Sequence, residues 1–347
     1  MNRYITRTTI HDIARELKVT SSTVSRALNE HPSISTATKK AVKRIAKKLD
    51  YQHNKIASSL RLGKSRIIGV IIPSAEINFF GSVVHGIEKV ASEKDYNVLM
   101  YQSNELIDYE KKGVETFLRS RVDGVLASIS KETTNLSHFL KIKRRGVPLV
   151  LFDRASDFLG VPYVVVNDYL GAYKATQHLL DQGCRKIAHI SGQLHVPIFK
   201  QRLSGYLDAL RENNIAINED LIINGSVTVD SGRECMNQLL SSGDVPDGVF
   251  AVEDFTALGA MQALKAKGIS IPEEIAIIGF ANEAFGQFIS PSLSTVDQQT
   301  IRMGEEAAKL FFELTATDNF YGHKECTRIL EPVLIYRNSS IKKKISR

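Results

Sequence analysis

The chain has 347 residues, 43% of them hydrophobic and 24% charged, enough apolar material for more than one buried core. Its net charge of +7 is uneven: residues 1–66 carry 15 Lys or Arg against Asp12, Glu16, Glu30 and Asp50, while the remainder sums to −4. That split points to a basic module that meets a polyanion, and the lack of any run of about 18 apolar residues excludes a membrane-spanning helix.

The first 50 residues read as helices only. Thr9 and Asp12 have the spacing of a capping box, and Ile10, Ile13, Ala14 and Leu17 recur at helical intervals. After a break at 18–20 a second short helix runs from Ser21 to about Asn29, with Val24, Ala27 and Leu28 inward. Ser35 caps a third helix ending at Leu49, with Val42, Ile45 and Ala46 inward and Lys39, Lys40, Lys43, Lys47 and Lys48 outward. Residues 52–65 (QHNKIASSLRLGKS) carry only a weak apolar stripe of Ile56, Ala57 and Leu60. Such a stretch is either a polar linker or a segment that turns helical on a supporting surface.

From Arg66 the texture changes to short apolar runs alternating with amphipathic stretches: 67–72 then 81–94, 98–101 then 109–119, 124–129 then 136–144, and 149–152. The alternation restarts at 164–166 and continues through 171–182, 187–190, 202–213, 221–223, 231–240, 248–252, 257–267 and 275–278. Strands alternating with helices mean βαβ units and parallel sheets, and about ten strands are better divided between two lobes than held in one open sheet.

Two helices joined by a tight turn, the second polar on its outer face, form a helix-turn-helix, whose second helix enters the DNA major groove. Ser21, Ser22, Ser25 and Arg26 occupy that helix, and Arg26 alone can pair bidentately with guanine. The stretch TIHDIARELKVTSSTVSRALNEHPSISTATKKAVKRIAKKLDYQHNKIASSL closely resembles the DNA-binding headpiece of the LacI/GalR family. The features that carry the match are T-x-x-D-x-A, the V-[ST]-x-x-T-V-S-R-x-L-N helix, the start of the third helix and N-x-x-A-x-x-L.

The resemblance implies that Ser21, Ser22 and Arg26 read bases and that Thr20, Thr23, Ser25 and Asn29 anchor phosphates, with Thr9 also at the DNA surface. It makes Asn54 the start of a hinge helix and Leu60, beside Ala57, a wedge in the minor groove. Two departures stand out: Tyr51-Gln52-His53-Asn54 lacks the family's proline, and Lys39 replaces the commoner arginine.

The remainder resembles the family's effector core, through RIIGVIIPSAEINFFGSVVHGIE, VPLVLFDR, VVVNDYLGAYKATQHLLDQGCRKIAHISG, QRLSGYLDAL, VEDFTALGAMQALKAKGISIPEEIAIIGF and SPSLSTVDQQTIRMGEEAAKLFFEL. The implied fold is a small all-α headpiece (1–51) joined by a hinge helix (52–65) to an α/β core of two doubly wound, periplasmic-binding-protein-like lobes. The expected lobes are 66–160 with 299–326 and 161–298 with 327–341, crossing near Gly160, Gln298 and Cys326, with 342–347 as a solvated basic tail.

Effector residues follow from the same resemblance. Phe79 and Phe80 stack on a ring, Asp153 and Arg154 end a strand, Arg202 opens a helix, Glu253 and Asp254 end another strand, and Gln298 lies at a crossing. In Gly279-Phe280-Ala281-Asn282 the family's usual acidic pair is missing, which leaves Asn282 to offer an amide.

Enzymatic readings find no support in the sequence. Leu62-Gly63-Lys64-Ser65 imitates the end of a phosphate loop, but position 58 is Ser and the segment precedes a strand. No GxGxxG, HExxH or GxSxG is present, and the nine histidines lack metal spacing. Cys184, Cys235 and Cys326 are far apart without a CxxC, which fits a reduced cytoplasmic compartment. A free solute-binding protein would share the core but would need a signal peptide and have no use for a basic headpiece. The expectation is therefore a cytoplasmic, homodimeric transcriptional repressor without cofactor or membrane partner. It binds a pseudo-palindromic double-stranded operator and is switched by a carbohydrate-like effector.

Overall fold

The computed structural model describes residues 8–51, 63–317, 321 and 327–342. The chain divides into two compact units, 1–65 and 66–347. Among the described residues no helix is long and apolar enough to cross a membrane.

The first unit holds α1 (Ile10–Leu17), α2 (Ser21–Leu28) and α3 (Thr36–Lys48), each within about two residues of the sequence reading. Asp12 Oδ2 accepts from both the backbone N–H (2.9 Å) and the hydroxyl (2.7 Å) of Thr9, which fixes the start of α1. Lys18 ends that helix in the left-handed region at φ 54°. The Thr20 hydroxyl then accepts from Thr23 N at 3.2 Å to open α2, and Ser35 does the same for Thr38 N at the head of α3. Ile13, Ala14, Val24, Ala27, Val42, Ile45 and Ala46 form the core of this unit.

The second unit begins with β1 (Ile67–Ile72), α4 (Asn78–Glu93), β2 (Asn97–Gln102), α5 (Ile107–Ser120), β3 (Gly124–Ala127), α6 (Ser137–Arg144), β4 (Leu149–Phe152) and β5 (Tyr163–Val166). There follow α7 (Asp168–Asp181), β6 (Ile187–Ser191), α8 (Pro197–Glu212), β7 (Ile222–Asn224), α9 (Val229–Ser241), β8 (Gly248–Ala251), α10 (Asp254–Ala266) and β9 (Ala276–Ile278). Closing the order are β10 (Thr295–Asp297), α11 (Thr300–Thr315), β11 (Thr327–Leu330) and β12 (Val333–Ile335). One parallel sheet runs β11-β5-β4-β3-β1-β2 and a second runs β7-β6-β8-β9, with β10 and β12 as a separate antiparallel pair. Central strands such as IIGVII are buried along nearly their whole length, as a parallel sheet covered on both faces requires.

The sheet pairing corrects the lobe boundaries. Leu151 and Phe152 pair with Tyr163 and Val164, and Thr327–Leu330 pair with Tyr163–Val166, so β5 and β11 both belong to the first lobe. The first and third crossings therefore follow Val166 and Leu330 instead of Gly160 and Cys326. The apolar run VVV carries no mark of which sheet it joins, because either would bury it equally well. At Gln298 the chain leaves β10, and α11 beyond it packs on α4.

That packing is close: a Cβ on Gly86 would lie 2.1 Å from Ile301 O, and one on Gly304 2.0 Å from Val83 O. Cys184 and Cys235 are buried and free, whereas Cys326 lies outside the described residues. Lys342, expected in a solvated tail, donates through Nζ to Asp247 O at 3.2 Å and through its backbone N–H to Gln182.

Candidate functional site

In the headpiece, Ser22 and Arg26 lie exposed one turn apart on α2. Ser22 Oγ is 2.8 Å from Thr20 Oγ1, which also contacts Thr23 Oγ1 at 2.9 Å, so three hydroxyls share one network at the helix start. Ser21 Oγ lies 2.8 Å from His11 Nδ1, a residue of α1 that the sequence reading did not single out. An orienting ring ten residues away leaves no local pattern to find. Thr9 is exposed, but its hydroxyl is committed to Asp12.

Two expected phosphate anchors sit differently from an outward-facing donor. Ser25 is only 8% exposed, and Asn29 turns its amide N–H₂ back to Ser25 O at 2.7 Å, where it ends α2. Lys39 donates to Glu30 O at 3.0 Å, and Lys43 pairs with the Glu30 carboxylate, so the α3 face is less free a cation than its lysine count suggests. Asn54, Ala57 and Leu60 lie outside the described residues.

In the second unit a cleft opens between the lobes. It gathers seven of the expected residues: Phe79, Phe80, Asp153, Arg154, Arg202, Glu253 and Gln298. Asp153 ends β4 in a left-handed conformation at φ 60°, and Ala281 lines the cleft at φ 121°. A non-glycine residue in such a conformation costs about 1–3 kcal/mol, and such strain concentrates at ligand sites.

Arg202 is 1% exposed. Its Nε donates to Asp168 Oδ1 at 2.8 Å, its Nη1 to Val252 O at 2.7 Å and its Nη2 to Gln298 Oε1 at 3.4 Å, while Phe280 lies flat beneath it at 3.7 Å. Arg154 Nη1 donates to both carboxylate oxygens of Glu105, at 3.0 and 2.8 Å. Burial lifts the Asp168 carboxyl to about 6, against the pull of Arg202. Burial, reinforced by the neighbouring Asp254, lifts Glu253 to about 8. Lys131 is pushed down by burial and by Arg154.

Two expected effector residues are not in the cleft. Asp254 is fully buried behind it, accepting from Thr295 Oγ1 and from Glu283 N, each at 2.7 Å, so it braces the loop instead of facing a ligand. Asn282 turns away as well: Arg337 Nη2 donates to its Oδ1 at 2.8 Å, and its Nδ2 donates to Asp297 Oδ2 at 3.2 Å. The left-handed backbone at Ala281 and Asn282 redirects the side chain that alternation alone would aim at the ligand.

Residues 9–54 match the bacterial regulatory protein lacI family, and residues 176–340 match the periplasmic binding protein-like domain. The HTH-type transcriptional repressor PurR of Mannheimia succiniciproducens is 31% identical over 95% of this chain and 98% of its own. The chain belongs to the lacI family of bacterial regulatory proteins.

As a member of that family it is a DNA-binding transcriptional regulator and not an enzyme. Among solved structures, a complex of the transcriptional regulator CelR with cellobiose covers 96% of this chain and 100% of its own at TM-score 0.70 and 29% identity. The lac repressor dimer bound to operator and the anti-inducer ONPF shares the fold at TM-score 0.85, with 23% identity over 97% of this chain and 100% of its own.

The regulator's cleft also contains Ala281, where the family's usual acid is missing, and Lys131, Phe199 and Phe255, which the sequence reading missed. Phe199 stands three residues before Arg202, and Phe255 two after Glu253. An aromatic beside each expected polar group was the available signal. Asp168, first residue of α7, was legible only as a helix-start acid.

Proposed function

We propose that the regulator acts in the cytoplasm as a homodimer on a pseudo-palindromic operator, with a carbohydrate-like effector in the interlobe cleft setting its operator affinity. Ser21, Ser22 and Arg26 read base edges, with Arg26 making the pair to guanine. Thr20, Thr23 and the exposed lysines hold phosphates, and Leu60 wedges the minor groove between paired hinges. Ligand in the cleft changes the angle between the lobes and with it the spacing of the hinges, so operator affinity follows the population of the two states.

The observation that carries the effector class is the lining itself. Phe79, Phe199 and Phe255 offer apolar faces for the C–H side of a sugar ring, and Asp153, Arg202, Glu253 and Gln298 offer polar atoms for its hydroxyls. Gel shift with a palindromic duplex, with and without mono- and disaccharides, tests the reading. A complex whose midpoint a saccharide displaces supports it, and binding that ignores every saccharide contradicts it.

A further inference from the structure

The acidic and basic side chains of the cleft are unequal in number. Three cations reach its wall, and each already has a carboxylate: Arg154 is held by both oxygens of Glu105, Lys131 Nζ lies 3.8 Å from the same group, and Arg202 is paired with Asp168 at 2.7 Å. Asp153 accepts from Ser128 Oγ at 3.1 Å and has Arg154 Nε only at 3.7 Å.

Glu253 has no such partner. Its Oε2 accepts from the backbone of Phe255 at 2.8 Å, and among the described residues no cation comes within 4.0 Å of its carboxylate. Behind it stand two more buried acids, Asp254 and Glu283. Of the groups that act on Glu253, Asp254 and Glu283 disfavour its charge, while Arg202, already matched, and Lys131, 3.8 Å from Glu105, favour it from beyond ion-pair distance. With Glu105, Asp153, Asp168 and Glu253 against Lys131, Arg154 and Arg202, the cleft has one carboxyl more than it has cations, and Glu253, the one with no cation within 4.0 Å, is the one that holds a proton up to about pH 8. Phe255 and Phe199 add ring faces to the same wall, and an aromatic face beside a carboxylate is the chemistry that receives an ammonium group.

We propose that the cleft selects a cationic, amino-bearing carbohydrate over its neutral parent and excludes phosphorylated and carboxylated sugars, with Glu253 holding the ammonium. The inference rests on the carbohydrate reading above and deepens it. A phosphate would enter beside the Glu253 carboxyl and meet cations that already face Glu105 and Asp168. An ammonium supplies the missing charge and lets Glu253 ionise, releasing a proton as it binds.

Calorimetric titration of the full-length regulator with glucosamine, galactosamine and mannosamine, each beside its parent hexose and the hexose 6-phosphate, tests this. The expected result is at least about tenfold tighter binding of one amino sugar than of its parent, and no binding of the phosphates. Repeating the titration in buffers of different ionisation enthalpy should show net proton release. Glu253→Gln keeps the shape and still accepts from Phe255 N through its carbonyl. It should abolish both the preference and the proton release.

A parent sugar or a phosphate that binds as tightly as the amine overturns the charge inference and leaves the carbohydrate reading standing. The same holds if Glu253→Gln retains the preference. Absence of binding by saccharides of every charge overturns the carbohydrate reading, and this inference with it.

Discussion

Arg202 Nε and Nη2 both approach a single oxygen of Asp168, at 2.8 and 2.7 Å, with the two side chains almost wholly withdrawn from solvent. Asp168 is the first residue of α7, immediately beyond the first crossing, and Arg202 also reaches Gln298 at the second. One buried guanidinium thus ties together two of the segments that cross between the lobes.

Breaking that pair from the acid side leaves the guanidinium buried without its counter-charge, which costs about 3–5 kcal/mol. Asp168→Ala should lower the urea midpoint accordingly, and Asp168→Asn, which keeps an acceptor oxygen, should lower it less. Equal midpoints for wild type and Asp168→Ala would show that the pair carries no stability.

The pH dependence has a definite sign at Glu253. Its carboxyl is raised from 4.5 to about 8 in the folded chain, so over that window the folded state binds the proton more tightly than the unfolded one. The group therefore subtracts stability increasingly as pH rises from about 4.5 to 8. Asp254, Glu283, Arg202 and Lys131 act on it in both proteins, so comparing wild type with Glu253→Gln isolates it. The variant should gain relative stability across that interval in chemical melts at successive pH values. A difference independent of pH contradicts the assignment.

Helix contacts make a separate prediction. A Cβ at Gly259 on α10 would lie 1.9 Å from Val229 O and 2.7 Å from Arg233 N, both backbone atoms of α9 that cannot step aside. Gly259→Ala should destabilise by about 1–3 kcal/mol. Gly81 on α4 has nothing within 4 Å of the same position, so Gly81→Ala should instead stabilise by up to about 1 kcal/mol. Thermal melts that move both variants in the same direction would contradict the packing argument.

Much of this architecture is legible in the sequence because its causes are local. Thr9 with Asp12, Thr20 with Thr23 and Ser35 with Thr38 fix helix starts within four residues of chain. Alternating apolar runs fix the order of strands and helices. Sheet membership is not local: Tyr163–Val166 joins the first sheet only through its pairing with β4 and β11. Side-chain direction in the cleft is also hidden. Asp254 and Asn282 sit at the expected strand ends, yet Thr295 and Arg337, more than 40 residues away, draw them out of the site. Phe199 on α8, Phe255 on α10 and Lys131 beyond β3 enter because three separate parts of the chain converge, a fact of topology.

At the DNA surface, Arg26→Ala should cost about 1–3 kcal/mol on a preferred operator and relax preference at one base position. Lys40, exposed on α3, contributes charge alone. Lys40→Ala should weaken specific and scrambled duplexes alike and reduce the salt slope by about 1. Competition binding at several salt concentrations separates the two behaviours, and a sequence-blind loss for Arg26→Ala would remove it from base reading.

The central claim is that occupancy of the cleft controls operator affinity. The most direct measurement is fluorescence anisotropy of an operator selected from random duplexes, titrated with the full-length regulator with and without the saccharide that binds the cleft. The account predicts a shift in operator Kd of about 5–150-fold in the wild type. The shift should be much reduced in Phe255→Ala, which removes one wall of the cleft. An operator Kd that is identical with and without bound saccharide would contradict it.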